Sequence, residues 1–199
     1  MDVKIDEVEF SKVKVMLLSI LADATPAMVR SLNRTMTGVR TDKSAAVRAE
    51  YNLKKSYVDQ HITIRKATLG RAAGQVDTRS KPSGLINFGA RSVKKGVSVQ
   101  VKKGGARSVL HHAFIATVKN ADNVFWRAKP PKRSAFDAKK KYGKFLPKQY
   151  RLPVERLTGP RISDALAKPD VIRAIEAKAG ERWLKEITHE VNRELARHA

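Results

Sequence analysis

Val97-Ser98-Val99-Gln100-Val101, closed by Lys102-Lys103-Gly104-Gly105, is the stretch whose reading decides the fold class. Apolar and polar residues alternate with a period of two. That puts Val97, Val99 and Val101 on one face of an extended strand. The two glycines that follow supply a turn. Upstream, His61-Ile62-Thr63-Ile64-Arg65-Lys66-Ala67 sets Ile62 and Ile64 on one face in the same way. Downstream, residues 109–118 are rich in β-formers and predict one further strand. Asn120-Ala121-Asp122-Asn123 then predicts a turn back into Val124-Phe125-Trp126-Arg127. Residues 61–128 therefore predict an antiparallel sheet of four or more strands.

Farther out the period changes to that of a helix. Phe10, Val13, Leu17, Ile20, Leu21, Ala24 and Met28 recur at steps of three and four, the apolar face of an amphipathic helix. Pro26 suits the first turn of a new helix capped by Thr25 or Asp23. The reading is a helix over 7–22, a second over 26–37, and a break at Val39-Arg40-Thr41-Asp42. A third helix over 44–51 follows, capped by Thr41 or Asp42. A short fourth, capped by Asn52, carries Leu53, Tyr57 and Val58. At the other end, residues 162–166 predict a helical turn. Pro169-Asp170 then opens a long helix through Val171, Ile175, Ala179, Trp183, Ile187, Val191 and Leu195. Gly180 inside it costs about 1 kcal/mol relative to alanine. The expected fold class is α+β in a single domain of residues 1–199. Its N-terminal part, 1–60, is helical, and residues 151–199 form an extended segment and the C-terminal helix. Helices from both ends pack on the sheet from the middle.

Charge is distributed unevenly along this order. Residues 1–50 hold 8 Lys/Arg against 7 Asp/Glu, and residues 161–199 hold 8 against 7. Residues 51–160 hold 25 against 5, a balance of +20 out of the total +22. Such an excess repels itself unless a negative partner is near, so nucleic acid or an acidic protein surface is expected. Residues 129–150 form a basic loop or arm in which Phe136, Tyr142, Phe145 and Tyr150 are interleaved with lysines. Loops of that length in compact domains are usually functional or disordered.

Several function classes are disfavoured. The chain has no cysteine, hence no disulfide and no thiolate metal site. Its acidic, mixed N-terminus is unlike a signal peptide. Its longest apolar stretch, residues 15–22, falls far short of a membrane span, so a soluble protein made in the cytosol is expected. His111 and His112 adjoin on a strand and point to opposite faces, where they cannot chelate one metal. Glu186, Glu190 and Glu194, among Arg182, Lys185, Arg193 and Arg197, read as a solvated, ion-paired helix face. Asp59, Asp77, Asp122, Asp137 and Glu155 are scattered, which disfavours two-metal nuclease chemistry. Gly104-Gly105 and Gly70 with Gly74 match no phosphate-loop spacing. No enzyme and no cofactor are expected.

The basic runs are the stronger signal. Besides Lys54-Lys55, the candidate contacts for DNA or an acidic partner are Lys94, Lys95, Lys102, Lys103, Arg107, Lys139, Lys140 and Lys141. Lysines at strand ends also solvate turns and discourage edge pairing. No sequence-reading helix or aromatic RNA signature stands out.

In three ordered stretches the chain resembles the phage minor tail protein Z family, the tail completion proteins of long-tailed bacteriophages and prophages. The first runs from Leu32-Asn33-Arg34 through Val39-Arg40-Thr41 and Tyr51-Asn52-Leu53-Lys54 to Ile64-Arg65-Lys66-Ala67. The second is Ala113-Phe114-Ile115-Ala116 followed by Val124-Phe125-Trp126-Arg127. The third is Arg151-Leu152-Pro153-Val154 leading into Leu157-Thr158-Gly159-Pro160. The stretches span residues 30–166, about two thirds of the chain. The resemblance implies a non-catalytic virion protein at the head-proximal end of the tail, assembled in the bacterial host cytoplasm. Its partners would be tail tube and terminator proteins, head–tail connector proteins, and copies of itself in a closed ring such as a hexamer. Genome DNA would be a further, nonspecific contact, and no membrane partner is implied. Candidate subunit-interface residues are Phe114, Phe125, Trp126, Phe136, Tyr142, Phe145, Pro153, Gly159 and Pro160. Phe125 is expected across the sheet from Phe114. Residues 128–151 depart from the family pattern as a lysine-rich insert, an arm with Phe136, Tyr142 and Phe145 as anchors in a neighbour. The alternative to this reading is a basic protein that binds nucleic acid nonspecifically.

Overall fold

The computed structural model describes residues 25–79, 81–118, 120–127 and 154–198. The fold class is α+β. The chain divides into two compact units, one built from residues up to Lys81 together with those from Arg161 onward, the other from Pro82–Pro160. The expected helix over 7–22 and the loop over 129–150 lie outside the described residues.

The first unit holds α1 (Thr25–Glu50), α2 (Lys55–Asp59), the hairpin β1 (Ile62–Arg65) and β2 (Gln75–Thr78), α3 (Ile162–Leu166) and α4 (Pro169–His198). The break expected at residues 39–42 is absent, and α1 runs unbroken through it. Met28, Leu32, Met36, Val39, Lys43 and Val47 are buried at helical spacing along its whole length. The supposed caps are otherwise engaged. Thr41 Oγ1 donates to the Thr37 carbonyl at 3.2 Å, and Asp42 accepts from Arg182 at 2.7 Å. A hydroxyl that bonds back to the preceding turn in this way is not capping a new helix.

Helix α4 covers this face. Its Ile175, Ala179, Trp183 and Ile187 are buried, as their spacing predicts. A turn apart on one helix, they form the stripe that α1 packs against. In β1–β2, Ile62 stands opposite Thr78 and Ile64 opposite Val76. Two polar ties hold the hairpin to α1. Asn33 donates to the Ala67 carbonyl at 3.1 Å and accepts from the Ala67 amide at 2.9 Å. The buried Lys43 ammonium donates to the Val76 carbonyl at 2.8 Å.

The described residues of the second unit form short strands and one 3-10 turn. β4 (Arg91–Val93), β5 (Gly96–Val99) and β6 (Ser108–His111) make one antiparallel sheet. β7 (Phe114–Val118), β8 (Ala121–Arg127) and β9 (Val154–Arg156) make another. β3 (Pro82–Gly84) pairs with β10 (Thr158–Arg161). A 3-10 turn, Leu85–Phe88, supplies the buried Leu85 and Phe88, which share the core with Val97, Val99, Ala113 and Val124.

The single sheet of four or more strands is therefore corrected to several sheets of two or three strands. The expected strand over 109–118 is split because His112 takes a left-handed φ of 62°, a conformation that ends a ladder. Asn120, at φ 61°, turns the chain earlier than expected, so Ala121 already pairs with Val118. Asparagine tolerates this region better than most residues. Gly96 at φ 144° lies so close to the Leu110 carbonyl that a Cβ would collide with it. Strands β2, β3, β4, β9 and β10 carry too few alternating residues to stand out in the sequence.

Candidate functional site

The two units treat their charges differently. Residues 82–160 carry 18 Lys/Arg against 3 Asp/Glu, a balance of +15, and the rest of the chain carries 23 against 16, a balance of +7. Every ion pair among the described residues lies in the first unit.

The strongest of these pairs form a seam between α1 and α4. Arg30 Nε donates to Glu190 Oε2 at 2.6 Å, and the same guanidinium also pairs with Glu194. Arg34 Nη1 lies 2.8 Å from Glu190 Oε1, an ion pair without hydrogen-bond alignment, and 3.4 Å from Glu186. Glu190 is fully buried. Burial pushes its carboxyl up, but the Arg30 hydrogen bond and the charges of Arg30, Arg193 and Arg34 outweigh burial and hold it below the usual glutamate range. The reading of Glu186, Glu190 and Glu194 as a solvated face is thus corrected. Their main partners come from the facing helix, which a search within α4 misses. A second depressed carboxyl is Asp59, held down by the Lys55 and Ser44 hydrogen bonds.

The described lysines of the second unit have no ion pair. Lys94 and Lys95 form the hairpin between β4 and β5, and Lys102 and Lys103 form the turn beyond the far end of β5. All four are exposed, and none has an acidic partner among the described residues. Arg91 on β4 is likewise exposed and unpaired. Arg107 is different. Its guanidinium donates to the Gly89 carbonyl at 2.7 Å, the Ser98 carbonyl at 3.1 Å and Ser98 Oγ at 3.1 Å, so it pins the sheet. The two acids described in this unit are engaged with neutral groups. Asp122 accepts from Thr117 at 2.6 Å and Glu155 from the Trp126 indole at 3.1 Å. Lys139, Lys140 and Lys141 lie outside the described residues.

The candidate interface aromatics gather on the second three-stranded sheet. Phe114 and Phe125 are register partners with ring centroids 6.1 Å apart, as expected from the sequence. The Arg127 guanidinium lies 5.9 Å from the Phe114 ring centroid, within cation–π range. Arg156 is the cross-strand neighbour of Phe125. Trp126 points to the other face by strand alternation and is 45% exposed. Gly159 and Pro160 lie within β10. A Cβ on Gly159 would come within 2.6 Å of the buried Phe88 ring, so this glycine serves the core of its own unit. Phe136, Tyr142, Phe145 and Pro153 lie outside the described residues.

His111 and His112 are exposed, with ring centroids 6.5 Å apart. Among the described residues no three His, Asp or Glu side chains gather to hold a metal. No described helix is long and apolar enough to cross a membrane. Lys43 and Asn33 escaped sequence reading as structural ties. Lys43 was visible only as a lysine in register with Val39 and Val47.

Fold and surface together define an α+β protein with one internally ion-paired unit and one that presents unpaired basic turns beside an aromatic sheet. Comparison of the chain with protein-family models, curated proteins and solved structures finds no match.

Proposed function

We propose that this protein is a structural component of a bacteriophage virion that completes the head-proximal end of the tail and readies it for joining to a filled head. It works by assembly rather than by catalysis. Copies of the chain associate in a ring, docking on the tail tube and terminator on one side and offering a surface to the connector on the other.

The observation that carries this reading is the ordered likeness of three stretches to the tail completion family. It is supported by where those stretches fall. Asn33 and Ala67, at opposite ends of the first stretch, are joined by two hydrogen bonds. Phe114 and Phe125, from the two halves of the second, pair across adjacent strands. Gly159 of the third packs against Phe88. Residues that hold a fold together at long sequence range are the ones expected to persist in a family.

A second reading, a free basic protein that binds nucleic acid nonspecifically, is favoured by the unpaired lysines of the second unit. Electron microscopy of particles assembled without this protein separates the two. The tail-completion reading expects tails with unfinished head-proximal ends that do not join heads. Normal tails on normal heads would refute it.

A further inference from the structure

We infer that the β4–β5–β6 sheet is a contact surface for the sugar–phosphate backbone of duplex nucleic acid, gripping it with Lys94 and Lys95 at one end and Lys102 and Lys103 at the other. In the tail-completion reading, on which only the identity of the duplex rests, that duplex is the packaged genome.

The placement follows from the strand. Lys95 and Lys102 are seven positions apart, with six residues between them. At about 3.3 Å per extended residue, the two lysine pairs stand on the order of 20 Å apart. That is less than the roughly 34 Å of one duplex turn, so both pairs can reach phosphates of the same turn. Each pair sits on a turn tip, where its ammonium groups are free to follow the backbone. Gly104, beside the second pair, has open space where a side chain would stand, so the main chain can approach a phosphate closely. Arg91 adds exposed positive charge along β4. Arg107, though tied to carbonyls, keeps its charge at the surface.

The same sheet argues against other partners. Its three strands, Arg91–Val93, Gly96–Val99 and Ser108–His111, carry no Phe, Tyr or Trp, and His111 is the one ring they offer to a single-stranded base, short of the row of rings that single strands stack on. Apart from the buried Phe88, the Phe and Trp residues described in this unit sit on the other sheet, where Phe114 and Phe125 face each other. Lysine is depleted from the cores of protein–protein interfaces, whereas an unpaired, strongly hydrated ammonium suits a phosphate approached as a point charge. The contacts position a duplex and carry no sequence information.

The test uses the intact chain and a random-sequence DNA duplex, with binding followed by fluorescence anisotropy between about 50 and 200 mM salt. The wild-type protein is expected to bind with a steep salt slope. The variant Lys94→Ala/Lys95→Ala/Lys102→Ala/Lys103→Ala is expected to lose about 3 to 4 units of slope and on the order of 10²–10³-fold in affinity at 0.1 M salt. A variant with the same charge change in the first unit, Lys66→Ala/Arg173→Ala/Lys178→Ala/Lys185→Ala, should keep the wild-type slope to within about one unit. Lys139, Lys140 and Lys141 are unchanged in all three proteins, so the difference belongs to the sheet. Equal losses in the two variants would show a net-charge effect and overturn the assignment, as would a wild-type slope in the sheet variant. Binding to polyglutamate with none to duplex would overturn it in favour of an acidic protein surface. Duplex binding by the isolated protein and tail joining in its absence are separate measurements, so either idea can fail while the other stands.

Discussion

Among the described residues the first unit holds every ion pair and the second holds none. In the first, Arg30, Arg34, Lys55, Arg65, Lys168, Arg182 and Arg193 each meet an acid. In the second, Lys94, Lys95, Lys102 and Lys103 meet none. A charge with a partner in its own chain is structural, and its removal should be felt as stability. The four unpaired lysines at the ends of β5 add to self-repulsion, and their removal should be felt as binding. The contrast turns a lopsided composition into a division of labour.

The largest expected effect tests whether the first unit is held by its interhelical seam. Trp183→Ala empties a fully buried site on α4 and should cost about 3–5 kcal/mol in denaturant unfolding. A loss under about 1 kcal/mol would mean that α1 and α4 are not what holds this unit together.

Glu190→Gln should cost about 2 kcal/mol. It removes the buried carboxylate charge that faces Arg30 and Arg34, but these two are part exposed and regain water. The substitution also has a signature in pH. The folded carboxyl sits below its ordinary value, so its stabilisation is fully present above about pH 4.3 and is lost as pH falls through the folded value. Wild-type stability should therefore fall more steeply with acid than that of the variant. Parallel acid profiles would break the link between the seam and stability.

Gly159→Ala probes the core of the second unit without touching a charge. The added methyl meets the Phe88 ring and should cost about 1–3 kcal/mol. Smallest of all, alanine at Lys94, Lys95, Lys102 and Lys103 should shift stability by no more than about 0.5 kcal/mol per site, as for exposed residues without partners. A large loss there would erase the contrast between the units.

Periodicity made α4 legible in the sequence, because Ile175, Ala179, Trp183 and Ile187 are both apolar and buried. It also made the Phe114–Phe125 pairing legible, since a turn signal lay between two strand-like runs. The continuity of α1 was hidden because Thr41 and Asp42 have the chemistry of caps. Whether they cap depends on Thr37 and on Arg182, the latter 140 residues away. The splitting of residues 109–118 depends on one backbone angle at His112, which no composition rule reports. Of the candidate contacts, the four turn lysines were legible as pairs flanking a strand. Arg107 was not legible as a tie, because its acceptors are carbonyls of Gly89 and Ser98, which have no side-chain signature.

The two tryptophans give the two units separate optical voices. Trp183 is sealed between helices in the first unit, and Trp126 stands half open on a sheet of the second. Their emission should differ in colour and in access to a soluble quencher. Iodide should first silence a red-shifted component from Trp126 and leave a blue-shifted one from Trp183. With Trp183→Phe, the remaining signal comes from the second unit alone, so melting of the basic unit can be followed without labelling the protein.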